Sequence, residues 1–169
     1  MDLELAGFGA QDGVELLQKL HLFQRLSFDE TMRLSAIMQP VDAPPGDVII
    51  EQDALGDALY VILRGEVSVT RDVGGDGQRQ VVEEIGRLRE GELFGEMSLI
   101  DDVLTSARVT TVAPCRLLKL PRGAFEALLA ADAQLAVKVY RAFCRTLSER
   151  LRRTSALLAR THALGVVAR

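Results

Sequence analysis

Between Val48 and Leu120 the chain never holds an apolar pattern for longer than a short strand before turn residues interrupt it. Val48–Ile50, Ala58–Leu63, Glu66–Arg71, Gln80–Ile85, Ala107–Val112 and Arg116–Leu120 read as strands, being rich in β-branched and apolar residues. Between them lie Asp53 to Asp57, Arg64-Gly65, and Gly74-Gly75-Asp76-Gly77, the last a hairpin loop between β-type runs. Many short strands with regular turns point to a sandwich, roll or barrel.

Helical periodicity flanks this region on both sides. Residues 13–23 place Val14, Leu17, Leu20 and either His21 or Leu22 on one helical face. Ser27-Phe28-Asp29-Glu30 is a capping-box signature, with the hydroxyl at N-cap and the acid three residues on. It opens a helix to about Met38, with Leu34, Ile37 and Met38 facing inward. Pro40 and Pro44-Pro45-Gly46 end the helical region. After Pro121 the helical period returns. Phe125, Leu128 and Leu129 define a short helix, and Asp132 is placed to cap a long one running to about Arg160. Tyr140, Leu147 and Thr154 recur every seven residues, and Cys144, Leu151 and Leu158 fill the complementary positions. Such a stripe suits the same helix of a second copy, a homodimer, or else docking on the chain's own β-region. The expected layout is a lead at 1–12, helices and β-region at 13–131, a long lid or dimerisation helix at 132–160, and a tail at 161–169.

At 169 residues the chain is long enough for one domain with a real core. No apolar run approaches the roughly 18 residues that span a bilayer. The start, MDLELAGFGAQDG, has acids where a secretory signal needs basic residues, so a cytoplasmic location and no membrane association are expected. Cys115 and Cys144 are far apart and outside any CxxC pattern, and both are expected to be small buried thiols. Neither His21 nor His162 has a ligand-spaced partner, so no metal site is expected. There is no Ser-His-Asp or Cys-His pairing, Walker loop or HExxH, and the reading is a binding module, not an enzyme. The charge is lopsided: from Asp132 onward the chain carries +6, and the remainder −10. That asymmetry marks the last helix as an interaction surface or simply a solvated face.

Three passages resemble the cyclic-nucleotide-binding domain family, over roughly residues 14–160. Pro45-Gly46-Asp47-Val48-Ile49-Ile50-Glu51-Gln52-Asp53 is similar to its opening strand and turn. Asp57-Ala58-Leu59-Tyr60-Val61-Ile62-Leu63-Arg64-Gly65-Glu66-Val67 is similar to its strand-turn-strand, and Gly91-Glu92-Leu93-Phe94-Gly95-Glu96-Met97-Ser98-Leu99-Ile100 to the start of its phosphate-binding cassette. The resemblance implies an α+β fold: an antiparallel, jelly-roll-like β-roll with N-terminal helices and a long C-terminal helix. It also implies a ligand site at Phe94, Gly95, Glu96, Met97, Ser98, Thr105, Ser106 and Ala107. In the family the glutamate of Phe-Gly-Glu accepts the ribose 2′-hydroxyl and backbone amides hold the cyclic phosphate; Glu96, Ser98 and Ser106 match those positions.

One departure stands out. The family carries a phosphate-pairing arginine just before a small-small pair; here the pair is Ser106-Ala107 and the residue before it is Thr105. A charge-assisted arginine–phosphate contact is worth about 2–4 kcal/mol, or roughly 30- to 1000-fold in affinity. Arg108 lies on the opposite strand face from Thr105, towards solvent. The sequence favours a weakened pocket over a substitute cation, for which Arg145, Arg150 and Arg153 of the last helix are the candidates. Met97 and Leu104 are candidate plugs.

No cofactor is assigned; cyclic AMP or cyclic GMP binding is expected to be weak. The expected function is a regulatory interaction module acting through a protein partner, and through a homodimer contact at Tyr140, Cys144, Leu147, Leu151 and Leu158. The alternative is a sensor for a cyclic nucleotide or a related nucleotide or nucleoside. Sequence-specific DNA binding is not expected, since about nine residues follow Arg160.

Overall fold

A computed structural model describes residues 17, 23–74 and 81–167. The elements in order are α1 (Phe28–Ala36), β1 (Gln39–Ala43), β2 (Val48–Ile50), β3 (Ala58–Arg64), β4 (Glu66–Asp72), β5 (Val82–Arg89), β6 (Leu93–Phe94), α2 (Met97–Ile100), β7 (Arg108–Thr111), β8 (Cys115–Pro121), α3 (Arg122–Ala131) and α4 (Ala133–Val167). The lead expected at 1–12, most of the helix expected over 13–23, and residues 75–77 of the hairpin loop lie outside the described residues.

The strands pair antiparallel in two four-stranded sheets, ordered β1-β8-β3-β6 and β2-β7-β4-β5. The near-continuous apolar run of β3 has a physical reason: both of its faces are covered. Leu59, Val61 and Leu63 join a core shared with the helices, while Ala58, Tyr60 and Ile62 face the second sheet. Side chains alternate across the pleat, so one strand serves two cores. Each fully buried Leu or Ile there contributes about 1.5–3 kcal/mol. β5, at an edge, is exposed along nearly its whole length and carries Glu83, Glu84, Arg87 and Arg89, charges that discourage edge-to-edge pairing.

Two strands escaped the sequence reading. β1 contains Pro40, which was read as punctuation. It lies on the edge of its sheet, where a residue without an N–H is tolerated. β6 is two residues long, too short for any period to register. The capping box forms as expected. The Ser27 N–H donates to the Glu30 carboxylate at 2.7 Å and the Glu30 N–H to Ser27 Oγ at 3.2 Å. α1 stops at Ala36, two residues early, but Met38 is buried and Ile37 packs against the core.

Asp132 caps α4, accepting from the Gln134 and Leu135 N–H groups at 3.1 and 3.0 Å and pairing with Arg33 at 2.8 Å. The Leu135 bond foremost, then Arg33, holds its carboxyl below the usual range. α4 continues to Val167, past the end expected at about Arg160. Leu135, Val139 and Phe143 are the face of α4 that docks on the core, with Phe143 tilted against Phe125 at 5.9 Å. The heptad stripe is a different face. Tyr140 and Leu151 are 43 and 68% exposed, Cys144 is exposed and Leu147 half-buried. Most of the stripe is therefore left uncovered by the chain's own roll; the Leu158 side chain lies outside the described residues. The expectation of two buried thiols is corrected by the same geometry. Cys115 is buried against the Glu66 carbonyl, whereas Cys144 faces outward on α4. Among the described residues no helix is long and apolar enough to cross a membrane.

Candidate functional site

The inner face of the β2-β7-β4-β5 sheet ends in a cavity of about 250 Å³. Ile50, Val69, Leu88 and Val109 form apolar walls, Phe94 to Ser98 one rim, Thr105 to Ala107 another, and Arg150 of α4 leans across. All eight residues picked from the sequence thus line one cavity. The walls are supplied by strands whose inward residues look in sequence like ordinary core.

The rim's shape is set by the backbone. Gly95 has φ +81°, and a Cβ there would sit 2.5 Å from the Ala58 carbonyl oxygen, so only glycine fits. The chain then closes one helical turn, with Ser98 N–H on the Gly95 carbonyl and Leu99 N–H on that of Glu96. This turn buries Ser98 and Leu99 and points Met97 outward. A second glycine completes the fit: at Gly56 a Cβ would lie 1.8 Å from Ser98 Oγ. No local pattern marks Gly56, because its contact with Ser98 joins residues far apart in the chain. Phe94 stacks on Tyr60 at 5.2 Å, an arrangement that fixes the ring at the cavity wall. Burial, foremost, pushes the Tyr60 hydroxyl pKa up.

Polar groups at the cavity are largely committed to one another. The Glu96 side chain is only 4% exposed and accepts from Arg150 Nη1, while Arg150 Nη2 donates to the Leu93 carbonyl. Arg87 is held by Glu84 at 2.8 Å and by Glu66 at 3.2 Å. Those two carboxylates raise its pKa, Glu84 foremost, and keep it charged. Thr105 is turned into the preceding loop. Its hydroxyl accepts the Ala54 N–H at 3.1 Å and reaches the Glu51 carbonyl. Its backbone bonds Asp53 and Ala54, both at 2.9 Å. Arg108 stays outside the cavity, paired with Glu51 at 2.8 Å. Met97, 57% exposed, and Leu104, 50% exposed, do not plug the cavity. Of the three candidate lid cations only Arg150 lines it, and it arrives already paired.

A β-roll whose glycine-built cradle holds a buried carboxylate, with a long helix laid across it, is the class of fold these elements define. The comparisons narrow this. The model of the family described as "Cyclic nucleotide-binding domain" matches residues 40–132, more than half of the chain, and the chain belongs to that family. It is 29% identical over 145 residues to the CRP-like cAMP-activated global transcriptional regulator of Mycobacterium tuberculosis, covering 86% of this chain and 61% of that protein. It is 31% identical over 115 residues to a cAMP-dependent protein kinase regulatory subunit of Dictyostelium discoideum, covering 68% of this chain and 35% of that one. Among solved structures, a cyclic nucleotide-binding domain from Methylobacillus flagellatus superposes with a TM-score of 0.73 at 31% identity, covering 85% of this chain and 79% of that one. The chain thus spans under two thirds of the length of these two curated relatives.

Proposed function

We propose that the chain is a regulatory module of this family in which cyclic-phosphate binding is weakened or lost and whose output runs through contacts of α4 with protein. One observation carries the reading: among the described residues lining the cavity, both arginines are already neutralised by carboxylates. The position where the family places its arginine holds Thr105, whose hydroxyl is spent on the 51–54 loop. An entering cyclic phosphate would meet no free cation, a deficit of about 2–4 kcal/mol. On α4, Val137, Tyr140, Cys144, Leu147 and Leu151 follow a three-four spacing on a face the roll leaves uncovered. This supports a second copy of the helix as one such contact.

A second reading rests on the cavity itself, which is unplugged and mostly apolar-walled. It suits an uncharged ligand, such as a nucleoside, better than an anion, with Glu96 as acceptor and Arg150 as donor. The deciding experiment is calorimetric titration of the nucleotide-stripped protein with cyclic AMP, cyclic GMP, adenosine and guanosine, beside a Thr105→Arg variant. The expected result is millimolar or no cyclic-nucleotide binding, improved roughly 30- to 1000-fold by the arginine. Micromolar binding by the natural protein overturns the first reading. Nucleoside binding in its place selects the second.

A further inference from the structure

A second concavity, of about 410 Å³, lies away from the cassette, and every described residue lining it is a cation: Arg25, Lys138, Arg141 and Arg145. Arg25 comes from the turn ahead of α1. The other three stand at i, i+3 and i+7 on α4, one helical face. Glu30 reaches only the edge of the group, taking the Lys138 ammonium at 2.7 Å. For Arg25, Arg141 and Arg145, no carboxylate lies within ion-pair distance among the described residues. Elsewhere on the surface Arg33, Arg89, Arg108 and Arg122 each find an acid. The three guanidinium groups around this hollow repel one another. A multiply charged anion seated between them reverses that repulsion.

We propose that this hollow is a binding site, separate from the cassette, for a compact phosphate anion of two or more linked phosphoryl groups. Guanidinium forks match phosphoryl oxygens two at a time, and a concave cluster can engage several of them at once. The shape argues against nucleic acid. The three helix positions span only about 10 Å of α4, while a duplex presents one charge every ~1.7 Å along its length. A long polyanion would also run onto the rest of the chain, whose formal charge up to residue 131 is −10. The site has a structural consequence. Phe23 and Leu26, flanking Arg25, pack in the same core as Leu135, Val139 and Phe143. An anion bridging Arg25 to Arg141 therefore fastens that turn to α4, the helix that also carries Arg150.

The test is calorimetric titration of the full chain at constant ionic strength with inorganic pyrophosphate, tripolyphosphate, orthophosphate and a glutamate-rich peptide. One equivalent of pyrophosphate or tripolyphosphate is expected to bind saturably, at least ten-fold tighter than orthophosphate. Arg141→Gln and Arg25→Gln, both exposed positions, should each weaken that binding by about ten-fold or more, for loss of a charge-assisted contact. Arg152→Gln on the exposed part of α4 and Glu96→Gln in the cassette should leave it unchanged. Circular dichroism of each variant separates a lost contact from a lost fold. Equal binding of ortho- and pyrophosphate overturns the proposal, as does equal weakening by the Arg152 control. Binding of the glutamate peptide alone reassigns the hollow to an acidic polypeptide. Loss through Glu96→Gln places the anion in the cassette instead.

Discussion

The pairing of Arg150 with Glu96 is the contact that ties α4 to the cassette, and a double-mutant cycle measures it. Two charge-assisted hydrogen bonds are involved, one to the Glu96 carboxylate and one to the Leu93 carbonyl. Such bonds contribute about 1.5–3 kcal/mol each when well desolvated. The carboxylate end is buried, at 4% exposure, but the Arg150 side chain is 36% exposed, so water screens part of the gain. Arg150→Ala should therefore cost about 1.5–3 kcal/mol, much of it from stranding a buried carboxylate. Glu96→Gln should cost less, because an amide keeps an acceptor for the guanidinium. The double variant should recover a coupling of about 1–2 kcal/mol relative to the sum of the singles. For a chain of this size the Arg150→Ala loss corresponds to a fall in Tm of roughly 3–12 °C. Urea unfolding of the four proteins gives the cycle, and hydrogen exchange over residues Arg145–Ala156 gives its location. Faster exchange confined to that stretch in Arg150→Ala is the expected signature. A coupling below about 0.5 kcal/mol, with unchanged exchange on α4, would refute the claim that this contact holds the helix down.

Three further outcomes follow from the geometry. Gly46→Ala and Gly95→Ala both force a side chain into positive φ, at about 1–2 kcal/mol. Only Gly95→Ala also meets a backbone carbonyl, at 2.5 Å, so its urea midpoint should fall clearly further; equal losses would sink the close-approach argument. Asp132 has its pKa lowered by the Leu135 N–H and then Arg33, so its contribution is present above the unfolded value near 3.8 and lost as pH falls through the lower folded value. The stability gap between the natural protein and Asp132→Asn should thus be full at pH 7 and shrink below about pH 3.8; a gap that widens in acid contradicts this sign. Leu151→Glu, at a position 68% exposed, should leave monomer stability within about 0.5 kcal/mol but abolish the proposed self-association through α4 in sedimentation experiments. An unchanged oligomeric state would remove Leu151 from the contact.

The parts of the fold legible in sequence were those governed by local rules. The capping box at Ser27 and Glu30, the Asp132 cap and the continuous apolar run of β3 each announce themselves within a few residues. β1 was hidden because Pro40 obeys a rule about sheet edges, and edge position is a property of the assembled sheet. The cassette rim was legible because Phe94, Gly95 and Glu96 form a motif; the cavity walls were not, since Ile50, Val69 and Val109 look like any strand residue until the sheet curves around them. Arg150 was visible only as one of three basic residues on a long helix. Which of them reaches Glu96 depends on how α4 lies on the roll, and that is set by Leu135, Val139 and Phe143 docking on the core earlier in the same helix. Cys144 was misplaced for the same reason: once those three residues claim the inner face, it must point out.

The same contact decides what a ligand in the cavity would have to offer to hold α4 in place. A ligand shifts an equilibrium only by its difference in affinity for the two states. Arg150 Nη1 occupies one oxygen of the Glu96 carboxylate, and the second oxygen can accept a ligand hydroxyl without displacing the arginine. A ligand that offers only a hydroxyl donor leaves the Arg150 pairing in place and has no differential contact through which to move α4. A ligand that also presents an acceptor can bind beside Arg150, drawing on the guanidinium N–H groups not used by Glu96 and Leu93, and holds α4 down. A ligand's hold on α4 is thus set by whether it reaches that one arginine, and the Thr105 hydroxyl, spent on the 51–54 loop, adds nothing to the balance.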